Sequence, residues 1–305
     1  MTDLHVSPRV SVVIPAFNAV ATLSRALDSV RAQRFTAWEA IVVDDASRDG
    51  TGTLVETYAD PRLRLIKRDS QGGPWRARND GIASARGDLI AFLDADDEWL
   101  PEKLALQVTA IERSDAISLV TCDMRAIHED GEEGLSIFAR QTPSEGPDAW
   151  KALLASSFIG TSSVLTRRVL LDAVGGFDPS LAVGEDQDVF IRLARRGAVI
   201  ALSQALAIYH YRGSSYSAGL ATAQADHVMR MVERHLLDEA ELTARERQQI
   251  LARRYGRLGR NLIEAGATRR GVSLILAAAL RGSLPPANIA ALAGILRGVG
   301  KLDAA

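Results

Sequence analysis

The chain has 305 residues, 47% of them apolar and 24% charged, the balance of a soluble globular protein able to bury one large domain or one and a half ordinary ones. A single cysteine, Cys122, excludes a disulfide framework and a cysteine-ligated metal. The formal charge of −2 hides an asymmetry: from Ala221 onward 13 Lys and Arg stand against 8 Asp and Glu, a net of +5, so the first 220 residues carry −7. The start, M-T-D-L-H-V-S-P-R, lacks the basic and apolar regions of a signal peptide, and no stretch has the length of a transmembrane helix. A cytoplasmic location is the expectation.

Val10-Ser-Val-Val-Ile is a β-branched run that predicts a buried first strand ended by Pro15. Ala16-Phe-Asn-Ala makes a turn, with Asn18 as N-cap of a helix carrying Val20, Leu23, Leu27 and Val30 on one face. Trp38 to Val43 predicts a second strand, Thr51 to Tyr58 a second helix and Arg62 to Lys67 a third strand. Strand, helix and strand with short connections imply a right-handed βαβ unit and a parallel sheet. Gln71-Gly-Gly-Pro-Trp turns into a helix over Trp75 to Ala85, with Arg76, Arg78 and Asn79 in its first turns. Leu89 to Leu93 is a continuous apolar run of the kind a strand covered on both faces shows. A helix from about Pro101 to Arg113 follows. Ala116 to Cys122 and Met124 to His128 suggest a hairpin-like pair, and Glu129 to Gly146 an exposed excursion rich in Glu, Gly, Ser and Pro. Next come a helix around Trp150, a strand over Ser162 to Thr166, a helix over Arg168 to Ala173, a turn at Gly175-Gly-Phe-Asp-Pro, a helix over Glu185 to Arg196 and a strand over Ala198 to Tyr209. Composition shifts near Ser214; beyond it strand signals vanish and four helical segments are expected. The pattern divides into a first domain over 1–217, with halves of about 8–115 and 116–217, and a helical region over 218–305.

Two strands end in acids, Val43 in Asp44-Asp45 and Leu93 in Asp94-Ala-Asp-Asp. Carboxylates side by side at a sheet edge repel and lose hydration, a cost that a divalent cation removes. Hard oxygen ligands suit magnesium or manganese, which keep waters and also bind substrate phosphates. The bland alternative is an acidic loop capping the next helix. In parallel α/β sheets ligands sit outside the carboxyl ends of strands, so two acidic ends of one polarity point at one crevice. No G-x-G-x-x-G follows a strand and no G-x-x-x-x-G-K-S/T is present, which leaves phosphates to a metal and to arginines.

Five blocks carry a resemblance. Val12-Val-Ile-Pro-Ala-Phe-Asn, Ile41-Val-Val-Asp-Asp-Ala-Ser-Arg-Asp-Gly-Thr, Ala77-Arg-Asn-Asp-Gly-Ile-Ala-Ser-Ala-Arg-Gly-Asp, Phe92-Leu-Asp-Ala-Asp-Asp, and Gly175-Gly-Phe-Asp followed by Gly184-Glu-Asp-Gln-Asp-Val-Phe-Ile-Arg-Leu stand in order between Val10 and Arg212. Together they resemble the family 2 glycosyltransferases. The resemblance implies a GT-A fold, an α/β architecture with a Rossmann-like, mostly parallel sheet flanked by helices, here with a C-terminal helical appendage. It also implies a nucleotide-diphosphate sugar donor, Mg2+ or Mn2+, and inversion at the anomeric carbon. Pro15 and Phe17 would wall the base, and Asp45 would hydrogen-bond it, favouring uracil, with Asp44 nearby. Arg78 would pair with the diphosphate, since a guanidinium fork suits phosphate oxygens; the rival is a helix salt bridge. Asp94 falls on the ribose and Asp96 on the metal, with Asp97 a substitute in either role. Asp186 would be the general base, taking the acceptor hydroxyl proton during inversion, and Glu185 and Asp188 would orient the acceptor or brace it. Helix capping by the dipole is the competing account of Glu185-Asp186.

Many relatives close this domain with tyrosine, arginine, a variable residue and a metal-binding histidine. Here Tyr209-His-Tyr-Arg puts Arg212 at that place, so an arginine would face the diphosphate, and His210 reads as a strand residue. A nucleotidyltransferase also uses strand-end acids and magnesium but shows a glycine-rich basic loop that A-F-N-A-V is not; a non-catalytic sugar-nucleotide module would carry a degenerate Glu185-Asp186. Arg253, Arg254, Arg257 and Arg260 at helical spacing suit either a membrane-surface helix or a bundle. The expected partners are a nucleotide-sugar donor and a glycan or lipid-linked acceptor, no nucleic acid, and a membrane inner face or a second copy at the C-terminal helices.

Overall fold

The computed structural model describes residues 7–181, 183–211, 221–237, 239–282 and 285–302. It opens with β1 (Val10–Ala16), α1 (Leu23–Arg31), β2 (Trp38–Asp44), α2 (Thr51–Glu56), β3 (Leu63–Lys67), α3 (Pro74–Ser84) and β4 (Leu89–Phe92). β1 pairs in parallel with β2 and β4, and β2 with β3, as strands joined by helical crossovers do. β1 runs through Pro15, which the sequence suggests as its end. Pairing with β4 stops at Val13, whose carbonyl accepts the Leu93 N–H at 3.1 Å. Pro15, two residues on, faces the side where β4 has already ended, so its missing N–H leaves no gap in the ladder. Asn18 is not an N-cap. It adopts φ 48°, its N–H donates to Ser47 Oγ and its Oδ1 accepts from the Arg48 N–H, while α1 begins at Leu23 and Val20 is exposed.

β5 (Glu98–Trp99), α4 (Lys103–Ile111), β6 (Ile117–Ile127), β7 (Glu133–Gly134), α5 (Ile137–Arg140), α6 (Ala149–Ala155), β8 (Leu165–Arg167), α7 (Arg168–Val174), α8 (Glu185–Ala194) and β9 (Ala198–His210) follow. The strands of the described residues form one sheet in the order β3-β2-β1-β4-β8-β6-β9-β5, with β7 on β6. β8 is antiparallel to β4 and β6, and β6 is parallel to β9. The hairpin-like pair expected over Ala116 to His128 is instead the single strand β6. Register shifts on either side of Asp123 against β9 break the apolar pattern without turning the chain. The strand expected from Ser162 starts only at Leu165, because 161–163 is a 3-10 turn.

The main core packs Val12, Ile14 and Val42 of the sheet against Leu23 and Leu27 of α1 and Leu104 of α4. One cation lies inside it. Lys103 has no exposed surface; its Nζ donates to Gln107 Oε1 at 2.7 Å and lies 3.9 Å above the Trp99 ring. Burial pushes its pKa down to about 8, and burial pushes the neighbouring Cys122 thiol up to about 11. Above pH 8 the unfolded chain therefore keeps a proton that folded Lys103 sheds, so stability rises with pH until Cys122 opposes it above pH 9. In denaturant titrations the wild type should gain about 1 kcal/mol between pH 8 and 9 from this residue, and Lys103→Met should lose that slope.

The chain divides into two compact units. The first takes the chain to Trp150, 158–180 and 185–212; the second takes 151–157, 181–184 and the remainder. Within the second lie α9 (Ala221–Leu237), α10 (Ala244–Glu264), α11 (Thr268–Leu280) and α12 (Pro286–Leu302). Thr243 and Glu246 close a capping box on α10. α10 and α11 cross where Gly259 meets Gly271; a Cβ on Gly259 would lie 2.7 Å from the Gly271 carbonyl oxygen. Arg254 is buried and donates to the Leu153 and Leu154 carbonyls at 2.7 and 2.8 Å, and burial, aided by Arg257, pulls its pKa down to about 9. Arg257 bonds Ser156, and Arg260 bonds Asn288. Three of the four clustered arginines thus bond within this unit, and Arg253 is exposed. No helix among the described residues is long and apolar enough to cross a membrane.

Candidate active site

The carboxyl ends of β1, β2 and β3 open on a cleft of about 730 Å3. Phe17 and Asn18 after β1, Ala46 to Arg48 after β2, and Arg68 to Gln71 after β3 line it. Phe17 is 44% exposed, which leaves a ring for a base to stack on. Asn18 and Ala46 both hold left-handed backbone, at φ 48° and 63°, strain of the kind that persists where a site over-determines the chain. Arg48 and Arg68, the two cations of this cleft wall, were not singled out from the sequence. Their signal was an arginine just beyond a strand end.

Asp44 is buried and accepts the Ser47 N–H at 2.9 Å. Asp45 is 3% exposed; its carboxylate accepts the Gly72 and Gly73 N–H groups at 2.9 and 2.8 Å and pairs with Arg68 Nε at 2.8 Å. The oxygens that the family resemblance assigns to a base are thus engaged in holding the turn into α3. Arg68 reaches on to Asp80 of α3.

One turn along α3 stands Arg78, which the resemblance assigns to the diphosphate. It is no surface salt bridge. Its side chain is 6% exposed, Nη2 bonds Asp94 at 2.7 Å and Nη1 bonds Glu185 at 3.0 Å. Burial alone would lower its pKa; Asp94 and Glu185 outweigh that and hold it above the ordinary value. Its guanidinium also lies 5.4 Å from the Phe177 ring centre. Phe177 is set there by Asn79, whose side-chain amide exchanges two 2.9 Å bonds with the Phe177 backbone. The Gly175-Gly-Phe-Asp turn is therefore the seat of Arg78, a role its sequence did not reveal.

Asp94, Asp96 and Asp97 follow β4. Asp97 is buried, and burial first, then the Asp94 and Asp96 charges, push its carboxyl well above the usual range against the Ser162 hydroxyl and the His210 backbone N–H. Its Oδ1 is buried and makes no hydrogen bond of ordinary geometry among the described residues. Arg25 Nη2 donates to the Asp96 carbonyl at 2.6 Å, and His210 Nε2 stands 3.4 Å from Glu98.

Glu185 and Asp186 open α8, where the dipole favours anions. Burial, then the Asp186 charge, raise the Glu185 pKa to about 7 although Arg78 pulls the other way. Asp186 Oδ2 accepts from Thr161 Oγ1 at 3.3 Å. Asp188 is fully buried and paired with Arg192 at 2.6 Å, and Arg192 continues to the Val174 and Gly176 carbonyls. Asp188 is thus a brace of α8, out of reach of an acceptor. Arg212 lies outside the described residues.

Does the acid turn fit a divalent ion? No group of three His, Cys, Asp or Glu among the described residues is arranged to hold a metal alone. Magnesium and manganese, however, are commonly held by one or two carboxylates together with substrate phosphates. Three mutually repelling carboxylates, one with a buried oxygen that makes no hydrogen bond of ordinary geometry among the described residues, match that second pattern. The residues fit.

A parallel α/β crevice with strand-end acids on one side and a helix-borne carboxylate on the other is the architecture of a GT-A glycosyltransferase. The chain belongs to glycosyl transferase family 2, whose family model matches residues 11–172. That membership sets aside a nucleotidyltransferase. A succinoglycan biosynthesis protein, ExoO, of Rhizobium meliloti is 34% identical over 74% of this chain, which spans 66% of that relative's length. A UDP-Glc:alpha-D-GlcNAc-diphosphoundecaprenol beta-1,3-glucosyltransferase, WfgD, of Escherichia coli is 28% identical over 68% of this chain and 78% of its own. Among solved structures, the mannosyltransferase PcManGT of Pyrobaculum calidifontis, in complex with GDP-Man and Mn2+, superposes with a TM-score of 0.66 at 24% identity, covering 95% of this chain and 80% of its own.

Proposed function

We propose that this glycosyltransferase moves a sugar, with inversion at the anomeric carbon, from a UDP-sugar to a hydroxyl of a glycan or lipid-linked acceptor in polysaccharide assembly. The observation that carries the reading is the Arg78 bridge, which joins the donor-side acid Asp94 to Glu185 and so brings the acids after β4 beside Asp186. Phe17 and Pro15 wall the base. Asp45 shapes that wall by fixing the turn before α3 and Arg68. Asp94 serves the ribose side. Asp96 and Asp97 would hold magnesium or manganese, which supplies positive charge for the departing diphosphate. Asp186 takes the proton of the incoming hydroxyl, and Glu185, poised near neutrality, sets the charge around it. A UDP-linked sugar and a diphosphoundecaprenol acceptor are what the WfgD relative's name describes, and an acceptor of that kind would bring the protein to the inner face of a membrane.

Calorimetric titration of UDP and GDP, each with Mn2+ and with EDTA, tests the donor half of this reading. UDP should bind in Mn2+ at least about tenfold more tightly than in EDTA, and Asp96→Ala should erase the difference. GDP binding in preference to UDP would overturn the uracil assignment, and equal affinity with and without metal would overturn the metal.

A further inference from the structure

Three consecutive hydroxyl residues, Thr161 to Ser163, form the 3-10 turn ahead of β8. Each reaches a different place. Ser162 Oγ accepts the Asp94 N–H at 3.0 Å and donates to Asp97 Oδ2 at 2.5 Å, while the Ser162 carbonyl accepts Trp99 Nε1 at 2.7 Å. The acid turn is thus fastened at its first residue, its last carboxylate and the following strand to one serine. Thr161 Oγ1 donates to Asp186 Oδ2 at 3.3 Å. Ser163 Oγ donates to the Gly160 carbonyl and meets Thr121 Oγ1, both at 2.6 Å.

The turn is itself seated on buried polar groups. Gln107 Nε2 donates to the Ser163 carbonyl at 2.6 Å and to the Val120 carbonyl at 3.2 Å, and Lys103 holds the other end of that amide. Lys103, Gln107, Thr121, Ser162 and Ser163 have no exposed surface. Sinking five polar side chains into one core is costly, and a satisfied network of this kind contributes rigidity and a unique geometry more than stability. Gly160 lets the turn lie that deep, since a Cβ there would stand 2.6 Å from Met124 Sδ. Ser162 is closed to solvent and Thr161 nearly so, which bars both from the role of a group that handles substrate.

We propose that Thr161 and Ser162 are positioning residues, a clasp that aims the donor-side carboxylates through Ser162 and Asp186 through Thr161. Because the two are neighbours in one rigid turn, the donor acids and the base keep a fixed spacing. Arg78 spans the same gap through charge; the clasp spans it through the chain. The inference rests on the roles given above to Asp96, Asp97 and Asp186. A misplacement of about 1 Å at a reacting centre costs on the order of a hundredfold in rate, which is what such a clasp prevents.

The test uses the full chain, UDP binding in Mn2+ and in EDTA, and turnover of UDP-glucose, UDP-galactose and UDP-N-acetylglucosamine by UDP release, with the fastest donor carried forward. Thr161→Val should lower kcat about tenfold to a hundredfold with KM for that donor within about twofold, and Thr161→Ser should restore most of the rate. Ser162→Ala should weaken UDP binding in Mn2+ by about fivefold or more and weaken it less in EDTA, where only the ribose contact of Asp94 is disturbed. If Ser162→Ala fails to fold, Ser162→Cys, near in volume and a poorer donor, should show the same metal-dependent loss. An unchanged kcat in Thr161→Val, no rescue by Thr161→Ser, or equal losses with and without metal at position 162 overturns the clasp while the donor reading stands. A wild type that binds no UDP and turns over none of the three donors overturns both.

Discussion

Asp186→Asn should lower kcat by about 10²- to 10⁴-fold while UDP affinity in Mn2+ stays within about twofold of the wild type. The asymmetry follows from where Asp186 sits. It opens α8 beside Glu185, bonded by Thr161, on the far side of Arg78 from Asp94, and no bond joins it to the base cleft. Asparagine is nearly isosteric and its amide oxygen still accepts from Thr161, so the turn keeps its shape. What it loses is the capacity to take a proton, and a general base contributes only in the transition state, hence to kcat rather than to donor binding. Steady-state kinetics alongside calorimetry on the same preparation decide the matter. Retained turnover would remove Asp186 from the chemistry, and lost UDP affinity would move it into the donor site.

The parallel half of the fold was legible because its strands speak plainly. Val10 to Ala16 and Trp38 to Asp44 are mostly apolar, are paired on both sides within the sheet, and stop at turns that line the cleft. Pro15 misled, since a proline normally argues against a central strand; the chain places it where the neighbouring strand has already ended. The antiparallel half was less legible. β6 carries a polar Asp123 at a bulge and reads as two strands, and the Thr-Ser-Ser turn has β-branched neighbours that read as one. In the site, residue types were visible and pairings were not. Nothing local in Gly175-Gly-Phe-Asp announces that Asn79, 98 residues away, grips Phe177. Nor does Asp45 announce that its oxygens hold Gly72 and Gly73. Partners brought together by long loops leave no periodic trace, and Arg78 shows the consequence: the motif marks it, and only the fold reveals that two carboxylates already share it.

Arg78→Met should be the most destabilising single change in the site. Removing one member of a buried ion network leaves the others uncompensated, at a cost of about 3–5 kcal/mol. The Asp94 side chain is 33% exposed and that of Glu185 only 12%, so most of the loss falls on Glu185 and the lower end of that range is expected. The loss should depend on pH. Glu185 titrates at about 7 in the folded protein against 4.5 for an unperturbed glutamate, so the folded state already binds the extra proton and stability declines as pH rises from about 4.5 to 7. Arg78 pulls the Glu185 pKa down through both its charge and a hydrogen bond, so without it that decline extends above pH 7. Urea denaturation should therefore find Arg78→Met much less stable than the wild type at pH 8.5 and closer to it at pH 6. Adding Glu185→Gln should recover much of the difference at pH 8.5, because a neutral amide needs no counterion there. A small, pH-independent loss would mean that the guanidinium is not what keeps Glu185 charged, and the link between the donor acids and α8 would then have to run through the chain alone.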